Sequence, residues 1–284
     1  MESLVAQYNA QYAAIMSGGA NLPQKRKLII QLNNRILPQV RAIKFDTPLS
    51  TAKYAVVMGT NYPNTPYQLY GCENDVHALA PLLRGKGYTV TTLCDDGPTP
   101  TRANILNAIT DVLKKATNGA RVVLTFSCHG TFEKGALEVE QLIVPSDFKY
   151  ISDVELKNVL RLYLKKGVSV FVLFDNCHSA STMNLRYGYL QTDGTPSVDA
   201  TKDETVSQVV SLSGCTDKQT SADAVFGGVP NGALTKAFLA ACATPTTYRG
   251  LVKGVRDFMK KNNFTQVPQL ESGTVLDVDS PFVL

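Results

Sequence analysis

Three observations predict an α/β protein with a mostly parallel central sheet and helices on both faces. Val168–Ser181 opens with seven largely β-branched or aromatic residues, VSVFVLF, and Arg121–Phe126 (RVVLTF) is a second run of the same kind. Continuous apolar runs bounded by polar residues read as strands buried on both faces. Stretches of helical periodicity separate these runs from each other and from further strand patterns, the alternation that builds parallel sheets. The length of 284 residues, 44% of them hydrophobic, suits one compact domain of this class.

The elements follow in order. Val5, Tyr8, Tyr12 and Ile15 recur at helical spacing until Gly18-Gly19, and Leu28, Leu32 and Ile36 form a looser helical pattern ending at Pro38. Tyr54–Met58 is the first strand. Its loop leads to Gly71-Cys72-Glu73-Asn74-Asp75, which opens a helix through Leu83 that Asn74 or Asp75 is placed to cap. Tyr88–Leu93 is the second strand. Thr101 caps a helix whose Ile105, Ile109, Val112 and Ala116 share a face. The RVVLTF strand ends at His129, and Leu142–Val144 gives a short fourth strand. Ser152-Asp153-Val154-Glu155 is a capping box opening a helix to about Leu164, and the VSVFVLF strand comes next. Asn184–Glu204, polar and rich in turn residues, reads as a long surface loop. A strand over Val206–Leu212, a helix over Gly232–Ala241 and a basic helix over Arg249–Lys261 complete the chain.

Charge excludes some functions. Lys25, Arg26, Lys27, Arg35, Arg41 and Lys44 against Glu2 and Asp46 give the first fifty residues the whole net charge of +4. The rest is neutral and shows no footprint for nucleic acid. No G-x-G-x-x-G or G-K-[ST] loop points to a nucleotide. No apolar stretch approaches the length of a membrane span, and nothing at the start resembles a signal peptide. Six cysteines without framework spacing suit reduced thiols, so a cytoplasmic protein is expected.

In open α/β sheets chemistry gathers at the carboxyl ends of the strands. One strong strand ends in Asp175-Asn176-Cys177-His178 and the other in Ser127-Cys128-His129-Gly130. A buried structural cysteine is the commoner use of this residue. Here, however, two of only three histidines stand at the ends of the two strongest strands, as a thiol nucleophile with an imidazole partner requires. Zinc ligation by the two Cys-His pairs is disfavoured, since adjacent residues in extended chain point to opposite faces. No metal ligands are therefore expected. His77, within a predicted helix, and His178 are read as structural.

These residues carry a resemblance. SCHG (127–130) and FDNCHSAS (174–181) resemble the His and Cys motifs of metacaspases, within the caspase-like cysteine peptidases. The stretches 54–76, 211–224 and 266–273 agree with it in the same order. The likeness spans about residues 52–284 and is to a compact type I-like member with a short N-terminal segment. It implies a caspase-like fold with residues 1–50 as a basic, partly helical segment and 51–284 as the peptidase domain. Within the latter, a large part covers 51–185, a linker loop 186–205 and a small part 206–284. It also implies a cysteine endopeptidase with Cys177 as nucleophile, His129 as acid and base, and the N–H groups of Gly130 and Cys177 as oxyanion donors.

Further implications concern substrate and metal. Cys72, Asp75, Ser127 and Asp175 match the acidic pocket of the family, so protein or peptide substrates with Arg or Lys before the cut bond are expected. Read alone, Asp75 also fits a helix cap and Asp175 a structural acceptor. Arg186 and Lys202, in the linker loop, are candidates for self-cleavage. Residues 1–50 either pack on the domain or cover the cleft. The family's calcium cluster looks dismantled: the loop Thr131–Gln141 contains Lys134 and no aspartate, Ser152 replaces one member of an Asp-Asp pair beside Asp153, and Asn184 stands where an aspartate is usual. Glu133, Glu138 and Glu140 remain. A calcium-independent monomer without cofactor is expected. The alternative is a catalytically silent caspase-like domain acting as a regulatory or interaction module.

Overall fold

A computed structural model describes residues 2–42, 49–134, 139–176, 183, 185–189, 194–214, 223–226 and 228–284. In chain order the described elements begin with α1 (Glu2–Ser17), α2 (Leu22–Ala42), β1 (Lys53–Gly59), α3 (Cys72–Gly85), β2 (Thr89–Leu93), α4 (Arg102–Lys115) and β3 (Arg121–Ser127). Next come β4 (Gly130–Lys134), β5 (Val139–Ile143), β6 (Ile151–Ser152), α5 (Asp153–Tyr163), β7 (Ser169–Asp175), β8 (Tyr187–Gly188), β9 (Ser197–Val198) and β10 (Val209–Ser213). The chain closes with β11 (Asp223–Phe226), β12 (Val229–Gly232), α6 (Ala233–Ala241), β13 (Thr246–Thr247), α7 (Tyr248–Lys261), β14 (Gln269–Ser272) and β15 (Pro281–Phe282).

The main sheet runs β2-β1-β3-β7-β10-β14-β8-β9. Its first five strands are parallel and the last three join antiparallel. Side chains alternate between the faces of a strand, and that alternation sorts the core in two. Ala55, Val57, Val123, Phe171 and Leu173 pack under α3, α6 and α7. Val56, Met58, Val122, Leu124, Phe126, Val172 and Phe174 pack under α4 and α5. Strands buried on both faces are mostly apolar, which is why their sequences read as near-continuous runs, with Thr125 and Ser211 as buried exceptions.

Of the three caps read from the sequence, those at Thr101 and Ser152 form, while α3 starts without a side-chain cap. Thr101 Oγ1 accepts the Asn104 N–H (3.3 Å), and Ser152 and Glu155 form the reciprocal box at the start of α5. Three expectations need correction. α2 passes through Pro38 to Ala42, because Ile36 and Leu37 are pinned in a small core with Val5, Tyr8, Leu32 and Leu162. The fourth strand is one of three in a separate small sheet, β4-β5-β6. The segment read as a surface loop contributes β8 and β9 to the sheet edge, two-residue strands too short to leave a periodicity.

The hairpin of α1 and α2 sits against α5. Tyr8 is fully buried there, and its Oη reaches Asn158 Oδ1 at 3.1 Å. The Nζ of Lys25 donates to Met16 O within the hairpin itself. Packing on the domain is thus the use this structure makes of α1 and α2.

Candidate active site

The register of the parallel strands sets the site. Gly59, Ser127 and Asp175 lie in one row across β1, β3 and β7, at the carboxyl ends. Following the alternation, Ser127 and Asp175 continue the series Val123–Thr125 and Phe171–Leu173 on the face that carries α3 and α6. Cys128 goes to the opposite face, buried among Phe126 and Ile143 in the core under α4 and α5. Two polar side chains therefore end a largely apolar face, between the N-termini of two helices.

Asp75, from the first turn of α3, completes the group. It is 1% exposed and Asp175 is 6% exposed. The Ser127 hydroxyl donates to Asp75 Oδ2 at 2.8 Å. The Gly232 N–H donates to both oxygens of Asp75 (3.0 and 3.1 Å), and the Thr235 N–H donates to Asp175 Oδ2 at 2.8 Å. Gly232 is the N-cap of α6. Asp75 thus caps a helix, but not its own: α3 begins after Gly71 with no side-chain cap. Two buried carboxyl groups are thus seated at one helix N-terminus, where N–H groups and the positive end of the helix dipole favour acceptors and negative charge. Close approach requires the glycine: a Cβ at position 232 would lie 2.1 Å from Asp175 Oδ2 and 2.5 Å from Asp75 Oδ2. Asn74 fixes the neighbouring strand by donating from Nδ2 to Pro230 O at 2.8 Å. Cys72, 7% exposed, opens α3 with its N–H on Asn61 Oδ1 at 2.9 Å. The four predicted pocket residues are therefore described, and Asp75, Ser127 and Asp175 converge.

His129 follows β3 directly. Its Nε2 lies 2.8 Å from the Tyr67 carbonyl. A carbonyl only accepts, so Nε2 carries the proton in this contact and Nδ1 is left as the basic nitrogen. Tyr62 holds the same residue from a second side. Its ring stacks on the imidazole at 4.9 Å between centroids, and its Oη accepts the His129 N–H at 2.9 Å while donating to Val144 O at 2.5 Å. Tyr62 is 2% exposed and takes a positive φ of 50°, an unusual conformation for a bulky residue. Gly130 opens β4, opposite Ile143.

Cys177 lies outside the described residues, as do His178, Asn184 and Glu138. Of the residues weighed for calcium, Ser152 is spent on its capping box, and Asp153 Oδ1 accepts the Val154 N–H at 2.7 Å. Glu155 is tied to Arg102 through two contacts of 2.5 and 2.9 Å. Glu133 and Glu140 face each other across β4 and β5. Arg186 donates to Lys202 O at 2.9 Å, and the Asp199 N–H donates to Arg186 O at 2.9 Å, so the two self-cleavage candidates are joined across the β8–β9 pair. Sequence reasoning missed Tyr62, Tyr67, Gly232 and Thr235. Nothing local marks them, since each acts through a residue at least sixty positions away.

With this geometry in hand, similarity to known proteins is informative. Residues 52–278 match the family model of the caspase domain. Metacaspase-2 of Trypanosoma brucei brucei is 33% identical over 264 residues, covering 81% of this chain and 76% of its own. Metacaspase-1 of Mycosarcoma maydis is 28% identical over 292 residues, covering 81% and 72%. A solved structure of a Geobacter sulfurreducens protein superposes with a TM-score of 0.61 over 81% of this chain and 97% of that one, at 23% identity, a likeness of fold. The match over most of the chain, on a sheet that ends its strands in Ser127-Cys128-His129 and Asp175, places this protein in the caspase-fold cysteine peptidases, as a metacaspase.

Proposed function

We propose that this chain is an endopeptidase that cuts after Arg or Lys, with Cys177 as nucleophile and His129 as its acid and base, without need of calcium. The observation that carries the specificity is the convergence of Asp75 and Asp175, both buried, at the N-terminus of α6. Two carboxyl groups brought together in this way present a site of acidic character. A guanidinium or ammonium forms charge-assisted bonds with such a pair, whereas an aspartate side chain meets like charge. Asp75 and Asp175 stand at the strand ends from which His129 and, two residues past Asp175, Cys177 follow.

The chemistry follows from the groups available. The thiolate of Cys177 attacks the carbonyl carbon after Arg or Lys, and the N–H groups of Gly130 and Cys177 take up the developing oxyanion. His129, oriented by Tyr67 and Tyr62, takes the Cys177 thiol proton on Nδ1 and passes it to the amine as the C–N bond breaks. It then removes a proton from the water that hydrolyses the thioester. Support for calcium independence is chemical. Calcium takes six to eight oxygens, several of them carboxylates. Ser152 is engaged in a cap and Asp153 Oδ1 accepts the Val154 N–H, so Asp153 with Glu133, Glu138 and Glu140 makes a thin set of carboxylates.

Turnover of Arg-, Lys- and Asp-terminated fluorogenic peptides is the test, with Cys177→Ala as blank. Asp175→Asn keeps an acceptor for the Thr235 N–H but removes charge, so it should lose most activity on Arg while remaining folded. Comparable cleavage after Asp, or full activity of Asp175→Asn, overturns the specificity. Absence of turnover on all three peptides would favour the silent-module reading.

A further inference from the structure

Outside the peptidase site, three donors of different chemistry meet at the edge of the sheet. The chain turns as soon as β2 ends: the Gly97 N–H donates to Cys94 O, and the Cys94 N–H donates to Pro98 O, both at 3.1 Å. Asp95 anchors this turn, accepting from Thr60 Oγ1 (2.8 Å) and the Asn61 N–H (2.6 Å). Its neighbours face the second turn of α3. Cys94 Sγ lies 2.7 Å from Asp96 Oδ1, and His77 Nε2 lies 3.0 Å from Asp96 Oδ2. One sulfur, one nitrogen and one oxygen thus fall within 4.8 Å of one another. Cys94 is 5% exposed, whereas the side chains of His77 and Asp96 are each 55% exposed.

A second catalytic thiol is one use of such a trio, and the arrangement speaks against it. Cys94 donates to the carboxylate rather than to the imidazole, and burial, ahead of the Asp96 contact, pushes the thiol up to about 12. A nucleophile requires the opposite shift.

The donor set fits a different role. We propose that Cys94 Sγ, His77 Nε2 and the Asp96 carboxylate form a site for a zinc-class divalent cation, with water in the fourth position. Thiolate, imidazole and carboxylate together suit a borderline-soft tetrahedral ion and not calcium or magnesium. Bonds of about 2.0–2.3 Å set donors of one zinc ion roughly 3.3–3.8 Å apart. The exposed His77 and Asp96 side chains reach that spacing by small rotations, while the buried sulfur stays fixed. The ion would take the place of the proton now shared by sulfur and carboxylate, and Glu73 and Asp95 add negative potential around it. Such an ion ties the turn after β2 to α3, the helix whose first turn carries Cys72 and Asp75.

Cobalt(II) is the probe, added to Cys177→Ala protein so that the peptidase thiol does not compete. Thiolate ligation gives a charge-transfer band in the near ultraviolet, and zinc should displace the cobalt and bleach it. The band should vanish in Cys94→Ser and persist in Cys242→Ser. The surface changes His77→Ala and Asp96→Asn, neither of which empties the core, should each weaken cobalt binding at least about tenfold. Zinc should also raise the thermal midpoint of the Cys177→Ala protein, and not that of its Cys94→Ser derivative. No band, a band that survives Cys94→Ser, or unchanged affinity in both His77→Ala and Asp96→Asn overturns the proposal.

Discussion

Gly232→Ala is the most informative single change. The backbone at this position, φ −65° and ψ 132°, is open to any residue, so alanine meets no torsional obstacle. The obstacle is space. The new methyl would stand 2.1 Å from Asp175 Oδ2, 2.5 Å from Asp75 Oδ2 and 2.6 Å from Asp175 Cγ, against ordinary contacts of about 3.5 Å. Neither carboxylate is free to retreat, since Ser127, Gly232 and Thr235 bind them at 2.8–3.1 Å. The helix terminus must therefore back away by roughly 1 Å, loosening charge-assisted bonds worth about 1.5–3 kcal/mol each. Overpacking of this size costs about 1–3 kcal/mol of stability, which lowers the thermal midpoint by a few degrees per kcal/mol but leaves a folded chain. For the substrate, a displaced carboxylate pair costs on the order of 2–5 kcal/mol, a fall in kcat/KM on Arg peptides of roughly thirtyfold to a few thousandfold. Steady-state turnover and circular-dichroism melts measure the two effects. Gly19→Ala, where a Cβ meets nothing within 4 Å, is the silent control. A folded Gly232→Ala enzyme with wild-type kcat/KM on Arg peptides would refute the reasoning.

Other expectations follow from named contacts. Tyr62→Phe removes the acceptor of the His129 N–H and the donor to Val144 O, so kcat should fall about tenfold with KM within about twofold, and stability by about 1–3 kcal/mol. Burial pulls the Lys157 ammonium down to about 8, against the attraction of Asp203. The unfolded chain keeps that proton up to about 10.5, so between these values it binds more protons and stability should rise with pH, the penalty being complete below about pH 8. Urea unfolding from about pH 8 to about 10 should show that rise, and Lys157→Met should flatten it. Peptide turnover should persist in excess chelator, with at most weak stimulation by millimolar calcium; activity that needs micromolar calcium would contradict this. Any self-cleavage should fall after Arg186, Lys202 or Lys25–Lys27, visible as intact masses that differ from those of Cys177→Ala. Cutting at the first two requires the β8–β9 pair to open first.

Which parts were legible from sequence has a physical basis. β1, β3, β7 and β10 announce themselves because a strand covered on both faces favours apolar residues at most positions. Thr101 and Ser152 announce helix starts because capping is a local event within four residues. Asp75 shows the limit of that logic. Its position in the first turn of α3 suggested a local cap, yet its oxygens reach Gly232, 157 positions along the chain. The pairing of Asp75 with Asp175 came from family resemblance, and the steric demand at Gly232 from neither source. His77 reads as an ordinary helix residue until the turn at Cys94–Gly97 is folded against it. β6, β8 and β9 are two-residue strands, defined by their neighbours alone.

The seating of both carboxylates on the first turn of α6 also bears on the order in which this protein is made. Asp75, Ser127, His129 and Asp175 leave the ribosome well before Gly232 and Thr235. Until α6 follows, the two acids lack the Gly232 and Thr235 N–H donors that hold them side by side. Under the specificity proposed above, a half-synthesised chain would own its reactive groups without a finished pocket. The late arrival of one helix start would keep a growing peptidase from cutting the proteins around it.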